Sequence, residues 1–139
     1  MIDIDVARKL RDAGLAWEPA DGDRFVIDIE EMRDEPFMLS SMVVERSTGR
    51  ANTPLFRFNG TTEWALDSVE QHEVVWIPRE DQLRELLGED FLALRRIEDG
   101  TFTVTLRSAD GAQREVPAPH AEDALAGALL IHLADRRRD

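Results

Sequence analysis

The stretch from Leu92 to Pro117 leaves its backbone few options. In TFTVTLR, Phe102, Val104 and Leu106 alternate with threonines, a period of two that a strand turns into one apolar and one polar face. Asp99-Gly100 precedes this run and Ala109-Asp110-Gly111 follows it, and both are turn chemistry that reverses a chain. Three antiparallel strands result. A three-residue loop at 109–111 sets Val104 opposite Val116 and Leu106 opposite Arg114, so the spacing specifies a register as well as a strand. The same alternation predicts that only one face of the middle strand is buried.

Helices flank this meander. In DIDVARKLRDAG, Val6, Leu10 and Ala13 fall on one face, Asp3 is placed to cap, Asp5 and Lys9 stand at i,i+4, and Gly14 closes, which predicts a helix over Asp3–Ala13. In EVVWIPREDQLRELLGED, a β-branched and aromatic run ends at Pro78 and gives way to a helical spacing of Leu83, Leu86 and Leu87 closed by Gly88. It predicts a strand followed by a helix over Arg79–Leu87, with Glu80 paired to Arg84. The closing segment predicts a helix over Ala121–Arg136. Its acids lie in the first turn and its arginines in the last, and 136–139 form a basic tail. Leu130 lies away from the main apolar arc, beside Ala126 and Ala134. Either the helix is sandwiched within its own chain, or a second copy covers Ala126, Leu130 and Ala134 in a homodimer.

Earlier strands are also legible. Phe25, Ile27 and Ile29 alternate with Asp28 and Glu30, a half-buried strand. DIEEMRDE at 28–35 is a solvated polar break or a partner-facing acidic patch, FMLSSMVVE is apolar on both faces and suits a central strand, and Asn59-Gly60 between Phe58 and Thr62 is hairpin chemistry, with a short helix from Thr61 or Thr62 as the competing reading. No internal repeat or linker interrupts the chain. The expectation is one α+β domain over 1–139: a mainly antiparallel sheet of about five to seven strands, with N-terminal, middle and C-terminal helices packed on it.

Composition then narrows the function classes. The absence of cysteine excludes a disulfide scaffold, thiolate zinc sites and a cysteine nucleophile, and fits a reducing cytoplasm. The acidic N-terminus lacks a signal-peptide core, and no apolar run approaches the ~20 residues of a membrane span, so a cytoplasmic protein is expected. A formal net charge of −12, from 29 acids against 17 bases, repels nucleic acid and anionic membranes alike. No metal-binding spacing, nucleophile elbow or phosphate loop is present in the sequence, so no cofactor, metal or catalytic residue is expected. His132 falls in the apolar arc of the last helix and reads as a core histidine bonded to backbone. Trp17 and Trp64 adjoin turn residues, and with Asp23 they are the candidate binding residues for a small molecule or peptide.

Three segments carry a resemblance. LAWEPADGDRF, FNGTTEWALDSVEQ and WIPREDQLRELLG together resemble a family of small acidic proteins of unassigned function from high-GC Gram-positive bacteria, some of which carry a pilus assembly label. The last segment is also similar to a W-L-P-x-x-x-Q-L-x-E-x-L element of small phage-like and Bacillus-type proteins. The resemblance implies a shared fold and no particular activity. The expected function is non-catalytic binding or adaptor work. A small-molecule pocket protein or enzyme with a carboxylate-based site, and an acidic inhibitor of a basic partner, stand beside it as alternatives.

Overall fold

A computed structural model describes residues 1–39, 44–48, 54–58, 68–70 and 74–137 of the 139-residue chain, the three short middle segments by their backbone. The chain divides into two compact units. Unit 1 comprises Met1–Ala16 and Pro78–Asp139, and unit 2 is the continuous stretch Trp17–Ile77 that interrupts it.

Unit 1 holds the helices α1 (Ile4–Asp12), α2 (Glu80–Leu87) and α3 (Ala121–Arg137), with strands β7 (Phe91–Arg96), β8 (Phe102–Arg107) and β9 (Gln113–Ala118). Unit 2 holds β1 (Arg24–Ile27), β2 (Pro36–Met38), β3 (Val44–Thr48), β4 (Pro54–Phe58), β5 (Ser68–Glu70) and β6 (Val74–Ile77). The protein is therefore α+β. Its sheet is not the single one of five to seven strands expected: among the described residues three antiparallel three-stranded sheets form, in the orders β2-β1-β6, β3-β4-β5 and β7-β8-β9. Proline helps to close them off, because Pro36 in edge strand β2 and Pro117 in edge strand β9 lack the N–H that a further strand would need.

In unit 1 the meander has the expected register, with Val104 opposite Val116 and Leu106 opposite Arg114. Gly100 and Gly111 adopt positive φ, at 89° and 86°, where a side chain would be strained, and so each hairpin can turn. Asp99 Oδ1 accepts from the Thr101 N–H at 2.9 Å, and Asp110 Oδ1 from the Ala112 N–H at 2.9 Å. The expectation of one buried face is corrected. Thr103 and Thr105 are buried too, with exposures of 6% and 7% against 0% for Val104 and Leu106. The threonine face is covered by its own cross-strand partners: Glu115 of β9 accepts from Thr105 Oγ1 at 3.0 Å, from Thr103 Oγ1 at 3.4 Å and from Arg95 Nη2 of β7 at 3.1 Å. The hydroxyl of Thr105, foremost, holds the Glu115 carboxyl below the usual glutamate range, and the Arg95 guanidinium adds to the effect.

The opposite face of the sheet meets α3, which also contacts α1 and α2. Ala124, Leu125, Ala126, Ala128 and Leu129 are essentially inaccessible to water, as are Leu10, Leu83 and Leu87 on the other helices. Ala126 is fully buried inside its own unit, while Leu130 is half-buried and Ala134 exposed. A glycine stands mid-helix at Gly127 because β9 passes close by. A Cβ there would lie 3.1 Å from Val116 Cγ1.

Local pairings differ in detail from the expected ones. Asp5 pairs with Arg8 at 2.6 Å rather than with Lys9, and Arg79 pairs with Asp81 at 3.1 Å where Glu80–Arg84 was expected. Helix α2 begins at Glu80 rather than at the expected Arg79, which is its N-cap and whose N–H donates to Gln82 Oε1 at 2.9 Å. The basic cluster is not all tail. Helix α3 runs through Arg137, whose Nη2 donates to the Asp12 carbonyl at 2.8 Å and so caps the end of α1.

In unit 2, β1 is not half-buried, since Val26 is as inaccessible as Phe25 and Ile27. Phe25, Ile27, Leu39 and Val74 form a core against which Trp17, Ile29, Met32 and Phe37 pack. The polar break at 28–35 thus contributes two apolar side chains. Of the central strand expected over 37–45, residues 40–43 lie outside the described residues; among the described ones β2 is a short edge strand, and β3 lies at the edge of another sheet. The Asn59-Gly60 hairpin lies outside the described residues.

Candidate functional site

Two groups of polar and aromatic side chains carry chemistry, one in each unit. In unit 2 the loop from Trp17 to Asp23 folds back so that Trp17 Nε1 donates to Asp23 Oδ2 at 2.8 Å. The same oxygen accepts from the Ala20 N–H at 3.0 Å. Asp23 is 3% exposed, and its backbone N–H and C=O are engaged with Ala20 and Leu39. Trp17 stacks on Trp76, with ring centroids 6.3 Å apart and planes 10° from parallel, and leans on Phe25 at 5.9 Å. Two of the three expected binding residues, Trp17 and Asp23, are therefore brought together, and Trp64 lies outside the described residues. What joins them is a closed arrangement, in which the carboxylate receives the indole and amide donors that would otherwise be orphaned. Trp76 Nε1 is the exception, buried without a hydrogen-bond partner.

In unit 1 a cleft of about 320 Å³ opens where the β8–β9 turn meets the C-terminal half of α3. Arg107 and Ser108 come from the end of β8, Gly111 from the turn, His132, Asp135 and Arg136 from α3, and Asp90 from the short turn before β7. His132 is 8% exposed, and its Nδ1 faces Asp90 Oδ2 at 3.2 Å. Its partner is thus a carboxylate and not the backbone. Asp135 Oδ2 accepts from the Ala109 N–H at 3.4 Å, a long bond. The Ser108 hydroxyl is buried with no hydrogen-bond partner. Among the described residues, the side chain of neither Arg107 nor Arg136 has an ion pair or hydrogen bond.

Chemically the cleft offers two guanidinium forks, one hydroxyl with unused capacity and an imidazole oriented by a carboxylate. Serine, histidine and aspartate line one cavity, yet Ser108 Oγ makes no bond to His132 and is shielded from solvent, so the relay that activates a nucleophile is not assembled. Among the described residues no three histidine, aspartate or glutamate side chains converge as metal ligands, and no helix is long and apolar enough to cross a membrane.

The sequence reading assigned none of these cleft residues a binding role. One signal was available: His132, Asp135 and Arg136 stand at i, i+3 and i+4, a spacing that puts all three on one face of a helix. Asp90 and Arg107-Ser108 join them only through the tertiary fold. No family model, curated protein or solved structure matches this chain.

Proposed function

We propose that this protein is a non-catalytic binding protein that takes a small polar molecule in the unit 1 cleft. The observation that carries this reading is unused hydrogen-bonding capacity: a buried hydroxyl without a partner stands beside two arginines without a carboxylate. An unpartnered buried hydroxyl costs about 1–3 kcal/mol, a cost that a ligand group bonded to it would offset. The volume suits a small metabolite and lies near the lower end of ligand cavities, which run upward from about 300 Å³. The unassembled Ser108–His132 pair favours binding over turnover.

A thermal-shift screen of the full chain against a chemically broad metabolite set tests the reading. A true ligand at 100 times its dissociation constant adds about 2.7 kcal/mol of stability. The expected result is at least one such ligand, with NMR shift changes concentrated at Ser108, Ala109, Gly111 and His132. No stabilisation across a set of acids, amines and neutral compounds overturns it, and so does a ligand whose shift changes all fall in unit 2.

A further inference from the structure

We infer that the molecule held in this cleft carries an oxyanion, a carboxylate or a phosphate, gripped by Arg107 and Arg136; the inference rests on the reading of the cleft as a binding site. Two carboxylates are present, and both are engaged: Asp90 with His132 at 3.2 Å and Asp135 with the Ala109 N–H at 3.4 Å. Neither arginine shares in them. In a chain with 29 acids against 17 bases, two cations beside two carboxylates would be expected to pair with them. These do not, so their planar forks, five N–H donors on each, are left for an acceptor from outside.

An oxyanion matches what is left over. Guanidinium groups bind carboxylate and phosphate oxygens through paired, charge-assisted hydrogen bonds, and a hydroxyl at the same site donates to a further oxygen. Ser108, next in sequence to Arg107, lines the same cleft. A cationic ligand would meet two unpaired guanidinium groups, and both carboxylates that could receive it are already engaged.

The test uses the full chain titrated with inorganic phosphate and separately with malonate, against sodium chloride at equal ionic strength, followed by NMR at the Ser108, Ala109 and Gly111 amides. The expected result is a saturable change with phosphate, malonate or both that chloride does not produce. The apparent Kd should rise at least about tenfold in Arg107→Gln and in Arg136→Gln. Arg114→Gln, at an exposed β9 position outside the cleft, should leave it unchanged. A response to one anion alone identifies the oxyanion as phosphate or carboxylate. Absence of any response beyond chloride overturns the inference, as does a response that survives both cleft substitutions or falls equally in Arg114→Gln. If a neutral or amine compound from the metabolite screen saturates these amides while both anions fail, the oxyanion inference is lost and the binding reading stands. If nothing saturates them, both are lost.

Discussion

Asp23 in unit 2 and Ser108 in unit 1 are both polar side chains withdrawn from water beside a turn, and they differ at the hydrogen bond. Asp23 Oδ2 receives the Trp17 indole and the Ala20 amide, at 2.8 and 3.0 Å, so the group that looked most like a binding site in the sequence is internally complete. Ser108 Oγ receives nothing. A saturated polar cluster has no capacity left to offer a ligand, and its removal is felt by the fold. An unsaturated one costs the fold free energy and keeps its capacity for something else. Asp23 and Ser108 therefore differ by satisfaction rather than by polarity, Trp76 Nε1 being the unsatisfied group of the unit 2 cluster, and substitution at the two residues can test that difference.

The largest effect belongs to Asp23→Ala. It strips an acceptor from two part-buried donors, and the expected loss is about 1–3 kcal/mol in the stability of unit 2. All three tryptophans lie within Trp17–Ile77, so fluorescence during urea unfolding reports on this unit. The Trp17–Trp76 stack supplies the signal. A loss below about 0.5 kcal/mol would mean that the cluster is not holding the loop, and the comparison would break on its unit 2 side.

Ser108→Ala should do the reverse. Deleting a buried hydroxyl that bonds to nothing removes a desolvation cost, so stability should stay level or rise by up to about 1–2 kcal/mol, while ligand affinity falls. The α-helices of the described residues all belong to unit 1, so circular dichroism at the helical band follows this unit, as fluorescence follows the other. A loss of more than about 1 kcal/mol would show that Ser108 is already used by the fold, and the cleft would lose the observation on which its functional reading rests.

The same distinction explains what could be foreseen. The β7–β8–β9 register was legible because it follows from turn length and a period of two, both local, and Val104 does face Val116. The β6–α2 junction was legible for a similar reason, since proline and the leucine spacing act within a dozen residues. Burial of a strand's second face was not, because alternation shows polarity and not what lies opposite: Thr103 and Thr105 read as solvent-facing until Glu115 and Arg95 are seen to cover them. The cleft was the least legible of all. His132 read as a core histidine and Arg136 as a tail residue, Asp90 drew no reading of its own, and each local account was reasonable. Only the fold brings Asp90 to His132 across 42 positions, and only the list of bonds made and unmade separates Arg136, in the cleft, from Arg137, which caps α1.

The smallest effect comes from a carboxylate that is satisfied but exposed. Glu115 accepts from Thr105, Arg95 and Thr103, like Asp23 in being bonded and unlike it in standing in water. Its folded-state pKa lies below its ordinary value of 4.5, chiefly because the Thr105 hydroxyl favours the charged form. A depressed folded pKa contributes stability that is present above 4.5 and is lost as the pH falls through the lower folded value. Thr105→Val removes the foremost of these donors, so the Glu115 midpoint, followed by carboxyl NMR, should move up toward 4.5. The stability gap between wild type and variant should be widest above that pH and narrow in acid. Solvent competes for an exposed carboxylate, so both changes should be small beside those at Asp23. An unmoved midpoint would place the cause with Arg95 instead, and the threonine face of β8 would then be held by the ion pair that crosses it.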